Sequence, residues 1–414
     1  MVDPTMDMLG WLRKQIAAAE PDLLREMVQA FAQALMGAEA DALCGAGYGQ
    51  RSPERTNRRN GYRERRWDTR AGTIALAVPK LRQGSYFPDW LLEHRRRAER
   101  ALVQVVADCY LAGVSTRRVD KLVATLGIEG ISASQVSALA QSLDEVVEGF
   151  RSRPLDGGPY TYLWLDALTQ RVREGGRITN VSAVIASAVN ADGKREILGL
   201  DLVTTEDGAA WTSFLRDLVA RGLSGVRLVT SDAHGGLVEA VRAVLAGASW
   251  QRCRTHFMRN LLGRVPKDAQ AFVATLVRSI FAQPDTVSTW NQYHRVVAEI
   301  EGRFPEATAL LEEAAPELLA FAQLPKEHWR QIWSNNPQER LNKEIRRRTD
   351  VVGIFPNRAA VIRLVGAILA EQHDEWAVAR RYMSAESLAK ARLRAIDTER
   401  AEQVEEVMAI EQAA

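Results

Sequence analysis

Tyr160-Thr161-Tyr162-Leu163-Trp164-Leu165-Asp166-Ala167-Leu168 is an apolar, aromatic-rich run that carries one carboxylate. It has no glycine or proline, and its composition predicts a buried β-strand. An ionised Asp166 inside such a strand is costly unless a cation or hydrogen bonds compensate it. Further strands are expected at 178–190, 195–204, 226–231 and 248–253, with helices near 207–222 and 234–246. Asn190-Ala191-Asp192-Gly193 supplies hairpin-turn chemistry between the second and third strands. A second acid, Asp232, ends the run Val226-Arg227-Leu228-Val229-Thr230-Ser231-Asp232.

Three consecutive antiparallel strands followed by α and β alternation is the order of a ribonuclease-H-like domain. In that topology the first and fourth strands are neighbours, so Asp166 and Asp232 are expected to approach. Residues 263–330 revert to helical spacing (Phe272, Leu276, Ile280, Phe281) and read as a helical insertion. A third acid, Glu339, opens the basic helix Asn336-Pro337-Gln338-Glu339-Arg340-Leu341-Asn342-Lys343-Glu344-Ile345-Arg346-Arg347-Arg348. The expected fold class is an α/β ribonuclease-H-like catalytic core, a mixed five-stranded sheet with flanking helices. It carries an all-α insertion and a mainly helical N-terminal DNA-binding region.

Residues 1–50 show helical spacing (Leu9, Leu12, Ile16; Leu23, Leu24, Met27, Phe31, Leu35) with Pro21 opening a second helix, so a helical hairpin is expected. Gly45 to Gly61 has no apolar period and reads as a mobile loop, followed by a short strand at 72–82. Residues 51–100 hold fourteen Lys/Arg against six Asp/Glu, a local basic field suited to a polyanion. Within it, Arg58, Arg59, Arg63, Arg65 and Arg66 stand beside Tyr62 and Trp67, which suits phosphate neutralisation and minor-groove insertion. Residues 101–152 predict short helices broken at Gly113 and before Ser132-x-x-Gln135, a capping-box pattern. That pattern fits a plain bundle better than a helix-turn-helix, although it is compatible with both. The remaining boundaries are 158–262 for the first part of the core, 331–382 for its completion, and 383–414 for a charged C-terminal helix.

No segment approaches the roughly 18 apolar residues of a membrane span, so no membrane partner is expected. Acidic residues near the N-terminus and the scattered Cys44, Cys109 and Cys253 predict a chain that is not exported and stays in a reducing cytoplasm. Taken singly, each acid has a bland reading. Asp166 fits a buried Asp bonded to backbone, Asp232 a helix cap, and Glu339 a capping-box residue behind Asn336 and Pro337. Their joint placement on the first strand, the fourth strand and a late helix favours a shared site. A zinc site needs about four ligands, and no second Cys/His pair lies near Cys253 and His256 in sequence, although His234 could approach in space; the two read as a helix-start packing pair in preference to zinc, with support for the active site between. Trp290 reads as a core residue, with stacking on a displaced base as the alternative. Lys343, Arg346 and Arg347 follow Glu339 and are expected to meet phosphates.

The sequence resembles the Mutator-type DDE transposases of bacterial insertion sequences over about residues 50–380. Arg59-Asn60-Gly61-Tyr62-Arg63, the Thr69 to Arg82 strand and Gly113-Val114-Ser115-Thr116-Arg117 carry the likeness. So do the Asp166 strand, Thr230-Ser231-Asp232-Ala233-His234-Gly235-Gly236, Cys253-Arg254-Thr255-His256-Phe257-Met258-Arg259-Asn260 and Asn336 to Asn342. The resemblance implies that Asp166, Asp232 and Glu339 are both catalytic triad and metal ligands, for two Mg²⁺ ions or Mn²⁺ as substitute. It implies DNA partners, the element's terminal inverted repeats and a target. Arg117 and Arg118 join the expected DNA contacts. Joining two ends in concert calls for at least a homodimer. A non-catalytic DNA-binding repressor and a structure-specific nuclease are the competing functions.

Overall fold

The computed structural model describes residues 21–69, 71–92, 100–114, 116–125 and 143–393, with residues 136 and 140. The chain divides into two compact units, residues 1–142 and 143–414.

In the first unit, α1 (Pro21–Cys44) starts at Pro21 as the sequence predicts. Its buried row is Ala32, Met36, Ala40 and Cys44, whereas Met27, Phe31 and Leu35 of the expected apolar face are exposed. Residues four apart share one helix face, and this one packs on the sheet through Ala32 and Met36. The stretch expected to be loop and basic segment is in part a strand. β1 (Arg59–Thr69) pairs antiparallel with β2 (Gly72–Leu81), turning at Gly72 with φ +112. Pro79 is tolerated within β2 because it faces Tyr62 beside the register irregularity. Trp67, Ile74, Leu76 and Val78 form a core with Ala32 and Met36. Two helices follow, α2 (Arg100–Leu111) and α3 (Thr116–Thr125), separated by Gly113 at φ +77. Ser132 and Gln135 lie outside the described residues, as do Leu9, Leu12 and Ile16.

The second unit begins earlier than the expected boundary. Helix α4 (Leu143–Ser152) packs on α13 (Arg358–Val378), where Gly366 lets Val147 approach and Asp144 takes both Arg363 Nε and Nη2 at 2.6 and 2.8 Å. Its sheet holds β3 (Tyr162–Glu174), β4 (Arg177–Val189), β5 (Arg195–Val203), β6 (Leu228–Ser231) and β7 (Ser249–Arg252). The order is β5-β4-β3-β6-β7. The β3–β4 and β4–β5 pairs are antiparallel, and β3–β6 and β6–β7 are parallel. β3 runs six residues beyond the predicted end, because Leu168, Gln170 and Val172 keep the inward alternation and Gly175-Gly176, both at positive φ, make the turn.

Alternation splits β3 between two cores. Leu163 and Leu165 face one layer, with Trp211, Phe214 and Leu218 of α5 (Gly208–Ala220) and Leu237 and Val241 of α6 (Gly235–Val244). Tyr162 and Trp164 face the other, with Phe257 and Leu261 of α7 (Arg254–Leu262), and with α8 (Gln270–Ile280), α9 (Thr286–Glu301) and α10 (Pro305–Leu318). No strand occurs among residues 263–330, the stretch read as helical from its spacing. Asp207, Asp285 and Asn357 fix the starts of α5, α9 and α13 by accepting backbone N–H groups at 2.8–2.9 Å. After α11 (Trp329–Ile332), helix α12 (Asn336–Thr349) returns to the sheet. Residues 385–393 are helical, with Leu388 and Ala391 buried, so the start of the C-terminal helix is packed and not exposed.

The Gly366 contact makes a test. A Cβ there would lie 2.4 Å from Val147 Cγ1, so Gly366→Ala is expected to cost about 1–3 kcal/mol of stability in urea denaturation. Adding Val147→Ala should relieve part of that cost, and strictly additive losses would contradict the contact.

Candidate active site

Register places the first two acids. Tyr162 pairs with Leu228 and Trp164 with Thr230. Continuing the same offset by two residues sets Asp232 across from Asp166, on the face that Tyr162 and Trp164 share. Parallel neighbours lie about 4.8 Å apart, so two carboxylates at matched positions must interact.

The third acid arrives on α12. Asn335, Gln338, Leu341, Asn342 and Ile345 are buried at helical spacing, which leaves Glu339, Lys343 and Arg346 on the adjoining stripe. Buried polar bonds anchor this helix to the sheet. Asn335 Nδ2 donates to Leu165 O at 3.1 Å, and Ser187 Oγ donates to Gln338 Oε1 at 2.7 Å. Cys253 Sγ accepts the Asn335 N–H at 3.2 Å, and Trp333 O accepts the Arg254 N–H at 3.0 Å. Asp166, Asp232, His256, Arg259, Glu339, Asn342, Lys343 and Arg346 thus line one open cavity of about 400 Å³.

Asp166 does accept the Ala167 N–H at 3.0 Å, yet its second oxygen takes Asn342 Nδ2 at 2.7 Å across from α12. Asp232 is not a helix cap, since His234 holds that position and α6 starts at Gly235. Glu339 is not a capping-box residue either. The helix starts one residue earlier than predicted, the Glu339 N–H bonds to Asn335 O at 2.8 Å, and Glu339 Oε1 is buried without a hydrogen-bond partner.

Burial pushes the Asp166 carboxyl up to about 6, with the charges of Asp232 and Glu339 adding to the shift against the Ala167 N–H and His256. His256 stands between the other two acids, its Nδ1 3.9 Å from Asp232 Oδ1 and its Nε2 3.7 Å from Glu339 Oε1. The imidazole is pushed up to about 9, first by its polar contact with the Cys253 sulfur and then by the charges of Asp232 and Asp166. The three acids line one cavity, but their oxygens do not all fall within 4.8 Å of one another. Cys253, His256 and Glu339 do meet that spacing.

Other expected site residues are elsewhere or otherwise engaged. Trp290 does not line the cavity; it packs beside the helical core with Tyr293 and His294. Arg347 turns away from the acids and pairs with Glu344 at 2.7 Å. Arg59 is buried against α1, paired with Asp41 at 2.7 Å, and holds that helix instead of facing solvent. Arg58, Arg63 and Arg66 are exposed, Arg63 and Arg65 lie over the Phe87 ring, and Trp67 is core. Arg118 is exposed on α3, and the Arg117 side chain lies outside the described residues. Sequence reading missed Asn335, Asn342 and Arg259. The two asparagines are seven apart, two helical turns, a spacing that marks one face of α12.

The family model described as "Transposase, Mutator family" matches residues 3–379. The chain belongs to the Mutator family of transposases. A transposase for insertion sequence element IS1081 from Mycobacterium tuberculosis is 61% identical over 388 residues, 94% of each chain. The transposase of IS256 in transposon Tn4001 from Staphylococcus aureus is 38% identical over 329 residues, 79% of this chain and 84% of that one. A solved Drosophila P element transposase strand transfer complex aligns at TM-score 0.30 and 11% identity over 69% of this chain and 83% of that chain, which adds nothing to the family assignment.

Asn335→Ala removes the link from α12 to Leu165 O in this Mutator-family chain. It is expected to cost about 1–3 kcal/mol, read as a lower urea midpoint, because a buried carbonyl loses its side-chain partner. An unchanged midpoint would contradict that role.

Proposed function

We propose that the cavity between β3, β6 and α12 is a DNA strand cleavage and strand transfer centre of a ribonuclease-H-like core, with residues 263–330 inserted before its last acid. The observation that carries this reading is the convergence of Asp166, Asp232 and Glu339 on one open cavity rimmed by Arg259, Lys343 and Arg346. Hard oxygen donors, one of them a buried and unpartnered Glu339 Oε1, fit a magnesium-class cation. Asp166, Asp232 and Glu339 would hold Mg²⁺ or Mn²⁺, two ions per site, and when bound these supply charge stabilisation to a phosphoryl group and its entering and leaving oxygens.

The chain's own residues do the rest. Asn342 orients Asp166 through Oδ2. Lys343 and Arg346, one and two helical turns from Glu339, neutralise the phosphates that must come close to three acids. Water opens the phosphodiester at the element end and frees a 3′-hydroxyl. That hydroxyl then displaces a 3′-oxygen in target DNA, with no covalent protein intermediate. The first unit, with Arg58, Arg63, Arg65, Arg66 and Arg118, takes the terminal inverted repeats. Two ends joined in concert require at least a dimer.

A duplex ending in the element's repeat, with a target plasmid and Mg²⁺ or Mn²⁺, provides the test. Asp166→Ala should abolish both nicking and joining, by at least about 10³-fold, while binding to the repeat persists in a mobility-shift assay. Continued cleavage and joining by that variant would refute the proposal. Mn²⁺ should also raise the thermal midpoint of the wild-type chain and leave an Asp166→Asn/Asp232→Asn variant unmoved.

A further inference from the structure

Beside the acids lies a donor set of different chemistry. Cys253 Sγ, a ring nitrogen of His256 and a carboxylate oxygen of Glu339 lie within 4.8 Å of one another. Sequence spacing favours a packing pair at Cys253 and His256, because the third donor, Glu339, comes from a helix more than eighty residues onward.

Several features of the set are those of a metal site and not of a packing pair. His256 Nε2 and Glu339 Oε1 stand 3.7 Å apart. Two nitrogen or oxygen ligands at about 2.0–2.1 Å from a tetrahedral zinc are about 3.3–3.4 Å apart, so little movement is needed. Glu339 Oε1 is buried with no hydrogen-bond partner, as is His256 Nδ1. Nδ1 points to Asp232 Oδ1 at 3.9 Å, within about 1 Å of a hydrogen bond. A metal-bound imidazole commonly leans on a carboxylate through its other nitrogen in this way. Cys253 Sγ accepts the Asn335 N–H at 3.2 Å, which fixes the sulfur beside His256 and Glu339. A sulfur donor with imidazole selects zinc-class cations over magnesium, and three protein ligands leave a fourth position open.

We propose that Cys253, His256 and Glu339 form a site for a zinc-class divalent cation. Binding transfers the Cys253 thiol proton to solvent and leaves one coordination position for water. Because Glu339 belongs to both donor sets, a cation held by Cys253 and His256 withdraws Glu339 from Asp166 and Asp232. Zinc therefore opposes magnesium-dependent cleavage. That regulatory part rests on the function proposed above, whereas the site itself does not.

Cobalt titrated into the chelator-stripped full chain reads the site without activity. A near-ultraviolet sulfur-to-cobalt charge-transfer band should grow to one equivalent in the wild type. It should vanish in Cys253→Ser, and cobalt affinity should fall at least about tenfold in Glu339→Gln, which keeps the cysteine and changes a partly exposed position. A missing band in the wild type, or one unchanged in both variants, would overturn the site. In a cleavage assay at fixed Mg²⁺, low zinc should inhibit the wild type, and Cys253→Ser should need at least tenfold more zinc. Equal zinc sensitivity would overturn the regulatory coupling. A normal cobalt band in a chain inactive with Mg²⁺ would uphold the site and overturn the cleavage reading alone.

Discussion

The parallel pairing of β3 with β6 is the constraint on which the candidate site depends. Its offset sets Tyr162 beside Leu228 and Trp164 beside Thr230, and carried two residues past the last pair it would set Asp232 across from Asp166. A slip of one residue would turn one acid to the opposite face, into the layer of Trp211 and Leu237. The register is held by what the alternating neighbours bury: Leu163, Leu165 and Val229 on one side, Tyr162, Trp164 and Leu228 on the other. Each large side chain removed from water contributes about 1.5–3 kcal/mol. Apolar burial on two faces therefore pins the position of two polar groups between them.

The third acid is held by other means. α12 has a mean composition too basic to be kept in place by apolar packing alone, and polar bonds do much of the anchoring. Asn335 reaches Leu165 O, Ser187 reaches Gln338, and Asn342 reaches Asp166 itself. Buried polar bonds are directional, so they fix the rotation of the helix about its axis as well as its position. That rotation decides whether Glu339, Lys343 and Arg346 face the cavity and Arg347 does not. The electrostatic consequence is visible at Asp166, where burial favours the protonated form. His256 stands between Asp232 and Glu339, within 3.9 and 3.7 Å of their oxygens.

Much of this was legible in the sequence because it depends on local pattern. The Tyr160–Leu168 run, the Asn190–Gly193 turn and the helical spacing after residue 263 report directly on burial and period, and the five strands follow. The three acids stood out because each belongs to a strong local signal: Asp166 lies inside an apolar run, Asp232 ends one, and Glu339 opens a basic helix. What was not legible is tertiary. Nothing in Gln170 or Val172 says that β3 continues until the partner strand is present. The basic run at Arg59–Arg66 reads as loop until β2 pairs with it, and only then is Arg59 seen to face Asp41. On α1 the larger side chains suggested the wrong face, since close approach to the sheet selects Ala32, Met36 and Ala40. Asn342 and the Cys253–His256–Glu339 grouping need three separate segments to meet.

Crystals of the full chain with a duplex ending in the inverted repeat, soaked in Mn²⁺, would give the most direct measurement through anomalous scattering. The account predicts manganese signal bounded by the carboxylates of Asp166, Asp232 and Glu339. Signal confined to Cys253 and His256, or none beside Asp166 with DNA bound in the cavity, would contradict it.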